Sequence, residues 1–150
     1  MHRVQQIVNY ASANNRKIAV CGRSMINMIQ TAVELGYIHA PKNMFIDIDM
    51  IKNYSDDQLV IITTGSQGEP LAALYRIADG EHRSIRLRPD DVVIFSSSPI
   101  PGNAMSIGKT INKLYLKGVK VYTNSDTSDI HTSGHANIEE LKLMIRLMMP

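Results

Sequence analysis

The sequence predicts an α/β domain with a mostly parallel sheet, and three observations carry that prediction. Short apolar runs suited to strands alternate with longer segments of helical periodicity. The strand candidates have few polar interruptions, as expected where both faces of a sheet are covered. Loops rich in glycine, serine and threonine follow the strands, at the sheet edge where this class of fold binds ligands.

Taken in order, residues 2–14 carry Val4, Ile7, Val8 and Ala11 at the spacing of one helix face. Lys17–Cys21 is a short apolar strand. Gly22-Arg23-Ser24 is the turn after it, with Ser24 the expected N-cap of a helix carrying Ile26, Ile29 and Val33. Gly36 stands where such a helix stops. Met44-Phe45-Ile46 predicts a short strand, and Asp47–Asn53 a short helix.

Leu59–Thr63 is the next strand, running into Thr64-Gly65-Ser66-Gln67-Gly68-Glu69-Pro70. A helix is expected to begin with Pro70 in its first turn, where a missing N–H is harmless, and to end before Gly80. Residues 82–88 alternate, with His82, Ser84, Arg86 and Arg88 on one side and Arg83, Ile85 and Leu87 on the other. That pattern predicts an edge strand with a basic face. Val92–Phe95 is a further buried strand, opening into Ser96–Asn103, and a helix then runs to Lys117 before Gly118. Val119–Tyr122 is the last strand. Asn137 with Glu140 makes a capping box for a final helix whose apolar face is Ile138, Leu141, Ile145 and Met148.

The totals narrow the function classes. A chain of 150 residues, 44% hydrophobic and 20% charged, is one domain by length and has the composition of a folded protein. No apolar run is long enough to span a bilayer, no secretory leader is visible, and the single Cys21 excludes an internal disulfide. A cytoplasmic, membrane-free protein is the expectation. A net charge of +2 does not by itself argue for nucleic acid.

Each loop has a chemical reading beside a plainer one. Gly22-Arg23-Ser24 offers backbone N–H groups, a hydroxyl and a guanidinium to an anion, or is an ordinary capped turn. Gly65 and Ser66 lie in a loop without the lysine of a P-loop; it is a backbone phosphate cradle or a structural turn. Ser96-Ser97-Ser98, between Phe95 and Pro99, faces a substrate or simply connects. Asp129–Ala136 places His131, Thr132, Ser133, Gly134 and His135 together. Their spacing admits zinc, but the other histidines are scattered and Cys21 stands alone, so no complete metal site is expected. One histidine acting as acid or base fits better. Lys109, Lys113 and Lys117 form a stripe whose usual meaning is a solvated face.

In Gly22-Arg23-Ser24-Met25, Thr64–Pro70, Ser96–Asn103 and His131–His135, in that order, the sequence resembles bacterial ribonuclease J, the catalytically active type more than its degenerate paralogue. That family belongs to the β-CASP branch of the metallo-β-lactamase superfamily. The resemblance implies a Rossmann-like three-layer β-CASP domain over residues 1–128. Residues 129–150 would begin the return into a lactamase domain lying outside this sequence. It further implies a 5′-to-3′ exoribonuclease and endoribonuclease of rRNA processing and RNA decay. A pair of zinc ions would be held by ligands outside these residues, and none by this chain.

His135 matches the family's second-motif histidine and so is the implied catalytic residue. Gly22, Arg23, Ser24, Gly65, Ser66, His131, Ser133 and Gly134 become the candidate RNA- and phosphate-binding residues. RNA is the implied partner, and a homo-oligomer or a complex with a paralogue the implied assembly. The chain alone is expected to be inert. Its terminal helix is expected to fold back on the body or to pair with a second copy. The alternative to RNA is a nucleotide- or sugar-phosphate-binding domain, which would place an acidic residue after the second strand to hold a ribose, and the sequence places none clearly there.

Overall fold

The structure, a computed structural model, describes residues 2–124 and 136–148. Its strands are β1 (Lys17–Cys21), β2 (Phe45–Ile46), β3 (Leu59–Thr63), β4 (Val92–Ile94) and β5 (Lys120–Tyr122). Its helices are α1 (His2–Ala13), α2 (Arg23–Glu34), α3 (Ala73–Asp79), α4 (Ala104–Leu116) and α5 (Ile138–Met148). Every described strand pair is parallel, which confirms the α/β class. The strands form two groups, β2-β1-β3 and β4-β5. Among the described residues no helix is long and apolar enough to cross a membrane.

Alternation along β1 builds the layers. Ile18 and Val20 pack with Val8 and Ala11 of α1 and with Ile29 and Ala32 of α2. Cys21 turns to the other face, against Ile77 of α3 and Ile85. β3 divides the same way, Val60 and Ile62 toward α1 and α2 and Ile61 toward α3. β1 is therefore enclosed on both faces, as its unbroken apolar run predicted. α3 serves two clusters, because its Leu74 and Ala78 pack with Leu114 of α4 and with Phe95, Val119 and Val121.

Several sequence expectations are corrected. Gly22, not Ser24, is the N-cap of α2, and no side chain caps that helix start. β1 stays paired to its last residue, so the chain enters the helix directly through one glycine, and Ser24 lies inside the first turn. Ala32 rather than Val33 completes the buried face of α2, and Val33 is exposed. The helix expected from Pro70 begins at Ala73. The amide of Ala72 donates to Glu69 O and that of Leu74 to Thr64 O, holding 69–72 in a turn.

Residues 82–88 are not a strand. The segment is held by side chains: Arg83 pairs with Asp49 at 2.8 Å, Ser84 Oγ donates to Asp49 at 2.9 Å, and Arg88 pairs with Asp56. The inward positions, Ile85 buried and Leu87 half-buried, still alternate, while Arg83 is exposed. β4 is not a buried strand, since Val92 and Ile94 are exposed and only Val93 faces the cluster under α4. Lys113 is more than a solvated charge. Its Nζ donates to Asp79 Oδ1 at 2.6 Å and to the Tyr75 hydroxyl at 3.0 Å, tying α4 to α3.

The capping box before α5 is present. Asn137 Oδ1 accepts from the amides of Glu139 and Glu140, and Glu140 accepts from the amide of Asn137 at 2.7 Å. Ile138, Leu141, Ile145 and Met148 are all exposed, so within one chain α5 does not fold back on the body.

Candidate functional site

Parallel pairing puts the ends of β1 and β3 side by side. Cys21 is in register with Thr63, and the amide of Thr64 donates to Cys21 O at 3.3 Å. Gly22 follows with φ 108°, and a Cβ there would lie 2.6 Å from Thr64 Oγ1. Only glycine fits that contact and that dihedral. Gly22-Arg23-Ser24 and the loop starting at Thr64 are thus neighbours, with Arg23 and Ser24 exposed on the first turn of α2.

The second loop is joined to the third through Gln67. Its Nε2 donates to Ser98 O at 3.0 Å, and its Oε1 accepts from the amide of Ile100 at 2.9 Å. Gly68 then passes so close to α4 that a Cβ would sit 2.5 Å from the carbonyl carbon of Ser106. From the start of α1, Arg3 donates to Ser96 O. These contacts join the loop after β3 to the loop after β4, and a cleft of ≈ 400 Å³ beside them has Ser66, Ser97, Pro99, Thr123 and Asn124 on its walls. Ser97 Oγ and Asn124 Oδ1 are shielded from solvent without a hydrogen-bond partner. Such an orphaned buried group costs about 1–3 kcal/mol.

Of the residues expected at the site, Gly22, Arg23, Ser24, Gly65 and Ser66 stand in adjoining loops at the carboxyl ends of β1 and β3. His131, Ser133, Gly134 and His135 lie outside the described residues. Ser97 belongs to the serine run that the sequence offered as facing a substrate, whereas Asn124 and Gln67 were not singled out. Nothing local marks a bridging glutamine.

Cys21 does not stand alone. Its Sγ lies 3.1 Å from His82 Nε2, across a gap of sixty-one residues in sequence. His82 Nδ1 accepts from the amides of Ser84 and Ile85 at 3.3 and 3.2 Å, so the ring proton is on Nε2 and points at sulfur. Burial, then the charges of Arg76, Arg86 and Arg83, hold the imidazole below its usual pKa of 6.5. Burial likewise pushes the Cys21 thiol up, opposed by a hydrogen bond from Thr63 and by Arg76. The pair is therefore neutral: an imidazole and a thiol, not a thiolate nucleophile. Among the described residues no three His, Cys, Asp or Glu side chains converge as metal ligands.

The His82 contact sets a pH dependence. The unfolded chain takes up a proton near 6.5, whereas the folded chain resists it. Stability is then full above 6.5 and falls as pH drops through the lower folded value. Urea midpoints across that range should decline on the acid side for the natural chain. His82→Leu should flatten that part of the curve, and an unchanged slope would count against the neutral assignment.

The acidic position expected of a ribose-binding domain is occupied, because Asp47 directly follows β2. Its Oδ1, however, accepts from the amide of Asp49 at 2.8 Å and caps the 3-10 helical turn of Ile48–Asn53. That carboxylate is engaged in local structure.

Fold and cleft together define a parallel α/β domain that gathers polar loops at the carboxyl edge of its strands. Residues 1–114 match the family described as Ribonuclease J, beta-CASP domain. The whole chain is 47% identical to Ribonuclease J of Synechocystis, covering 23% of that protein. It is 49% identical to Ribonuclease J of Helicobacter pylori strain 26695, covering 22%, and 42% identical to Ribonuclease J2 of Bacillus subtilis, covering 27%. The chain belongs to the ribonuclease J family, as its beta-CASP domain. It spans about a quarter of the length of the curated relatives it matches.

Proposed function

We propose that this chain is the RNA-gripping part of a zinc-dependent ribonuclease J acting as 5′-to-3′ exonuclease and endonuclease in RNA processing and decay in the cytoplasm. The observation that supports this reading is the match along the entire chain, at 42–49% identity, to proteins named Ribonuclease J and Ribonuclease J2. The metal chemistry is assigned to the remainder of the parent protein, as the resemblance to ribonuclease J implies. Residues 1–128 make up the β-CASP portion and 129–150 begin the return to the lactamase domain.

Within this chain, Gly22, Arg23 and Ser24 present a guanidinium, a hydroxyl and the uncapped amides of α2 to a phosphate. Gly65 and Ser66 stand in the next loop, and His131, Ser133 and Gly134 complete the grip. His135 donates the proton to the leaving oxygen. The nucleotide- or sugar-phosphate alternative is the weaker reading, since Asp47 is spent on capping.

The test is a pair of assays. Labelled RNA incubated with this chain and added zinc or manganese should stay intact. The full-length parent should degrade it, and should lose activity on chelation. Cleavage by the chain alone would overturn the division of labour.

A second copy is the partner we infer for the isolated chain. The exposed face of α5 forfeits about 1.5–3 kcal/mol for each large apolar side chain left in water. A symmetric contact through Met144 and Met148 needs only that one patch. Light scattering should read two chains per particle, and Ile145→Glu should return one. A monomer at high concentration contradicts the pairing.

A further inference from the structure

The opposite edge of the sheet carries a hollow of different chemistry. It lies where β1 and β2 begin, and the five residues of β1 separate it by about 16 Å from Gly22-Arg23-Ser24. Its volume is ≈ 340 Å³, and Ser12, Asn15, Arg16, Lys17, Lys42 and Met44 line it. Two turns shape it. On one side α1 ends at Ala13, and Asn15 takes φ 53° as the chain reverses into β1. On the other, Asn43 takes φ 60° just ahead of β2. Lys17 Nζ donates to Asn43 O at 2.9 Å and so clamps the two turns together.

Three full positive charges therefore share one hollow, and no carboxylate lines it. Arg16 and Lys17 are half-buried. Among the described residues neither the Arg16 guanidinium nor the Lys42 ammonium has a hydrogen bond or an ion pair. The plainer reading is that these cations answer the negative end of α1. That end carries only about half an elementary charge. Its carbonyls are also engaged already: Tyr10 O accepts from the amide of Asn14 at 3.1 Å, and Ala11 O from that of Arg16 at 2.8 Å. Most of the positive charge is left unanswered.

We propose that this hollow binds a small phosphorylated molecule carrying two or more negative charges. Arg16 offers a planar fork matched to phosphate oxygens, and Lys42 a point charge on a flexible stem. The Ser12 hydroxyl and the Asn15 carboxamide add donors beside them. Lys17, tied to Asn43 O, contributes charge rather than reach. The volume is that of a small-molecule site, which a polymer would overrun. No aromatic ring lines the hollow, so the phosphates are recognised and the group that bears them is not. The site goes beyond the RNA reading, uses other residues at the other edge, and can be filled while RNA occupies the carboxyl edge.

The test follows signals of the whole chain by nuclear magnetic resonance. Pyrophosphate and ADP should shift Ser12, Asn15 and Arg16, and adenosine should not. Arg16→Gln should weaken pyrophosphate by roughly ten- to a hundredfold, as expected for a lost charge-assisted hydrogen bond. Arg16→Lys should recover part of that loss. Lys42→Gln, at an exposed position, should weaken binding as well and keeps the test decisive if Arg16→Gln disturbs its turn. Arg23 and Ser24 report the carboxyl edge separately. Shifts confined to those two, or undiminished binding in both Gln variants, overturn the amino-edge site and leave the RNA reading untouched. Adenosine binding as tightly as ADP overturns it too. So does an RNA oligonucleotide or a polyglutamate peptide that moves Ser12 and Asn15 where pyrophosphate does not.

Discussion

Replacing His135 by alanine in the full-length parent should lower turnover on RNA by about 10²–10⁴-fold, the usual contribution of a positioned acid or base. RNA affinity should hardly change. The proposed proton transfer acts only as the leaving oxygen develops charge, so its loss raises the barrier and leaves the ground state bound. Single-turnover rates with saturating RNA isolate that step from product release. His135→Gln keeps the approximate size but cannot deliver a proton, and should be as slow as alanine. Equal losses in rate and affinity would assign His135 to binding, and no loss would remove it from the reaction.

Gly68→Ala should destabilise the fold by about 3–5 kcal/mol, the sum of an overpacked contact and a left-handed backbone forced on alanine. Its φ is 75°, and the added methyl would meet the Ser106 carbonyl at 2.5–2.6 Å. Backbone of α4 cannot rotate aside as a side chain would, so the loop must lift. Gln67 moves with it, and the bonds to Ser98 and Ile100 go as well. Gly108 provides the opposite control. It lies within α4 with nothing within 4 Å of a Cβ, so Gly108→Ala should stabilise by about 0.5–1 kcal/mol. Urea midpoints of the two variants should therefore move in opposite directions from the natural chain. A Gly68→Ala midpoint near the natural value would mean that the loop does not rest on α4.

What the sequence could reveal followed from how local each signal is. β1 and β3 were legible to the residue, because an apolar run between turn residues has few alternatives at that length. The capping box at Asn137 and Glu140 needs residues three apart and nothing else. Residues 82–88 show the limit of the same logic. Alternation records which side chains face inward, and Ile85 and Leu87 do; it does not record whether a neighbouring backbone is there to pair. Asp49 and Asp56 took the place of that neighbour, and both are distant in sequence. Cys21 beside His82, and Gln67 beneath Ser98, are meetings that only the folded chain creates. The loops Gly22–Ser24 and Thr64–Glu69 were expected at a common edge, and the register of Cys21 with Thr63 puts them there. The fourth expected loop, with His131 and His135, lies outside the described residues.

The parallel register of β1 also governs how the chain must fold. Its partners are β2 and β3, and Cys21 waits for Thr63, which the ribosome delivers much later. The closure of that long loop costs entropy before any contact rewards it, so folding is slow relative to a helical bundle of similar size. Until α3 and Ile85 arrive, the face of β1 that Cys21 occupies stays bare, although α1 and α2 can already cover Ile18 and Val20. The helices and strand ahead of Gly36 therefore cannot enclose both faces of β1 by themselves. During synthesis both faces of β1 can be covered only once the chain has emerged through α3 and Ile85.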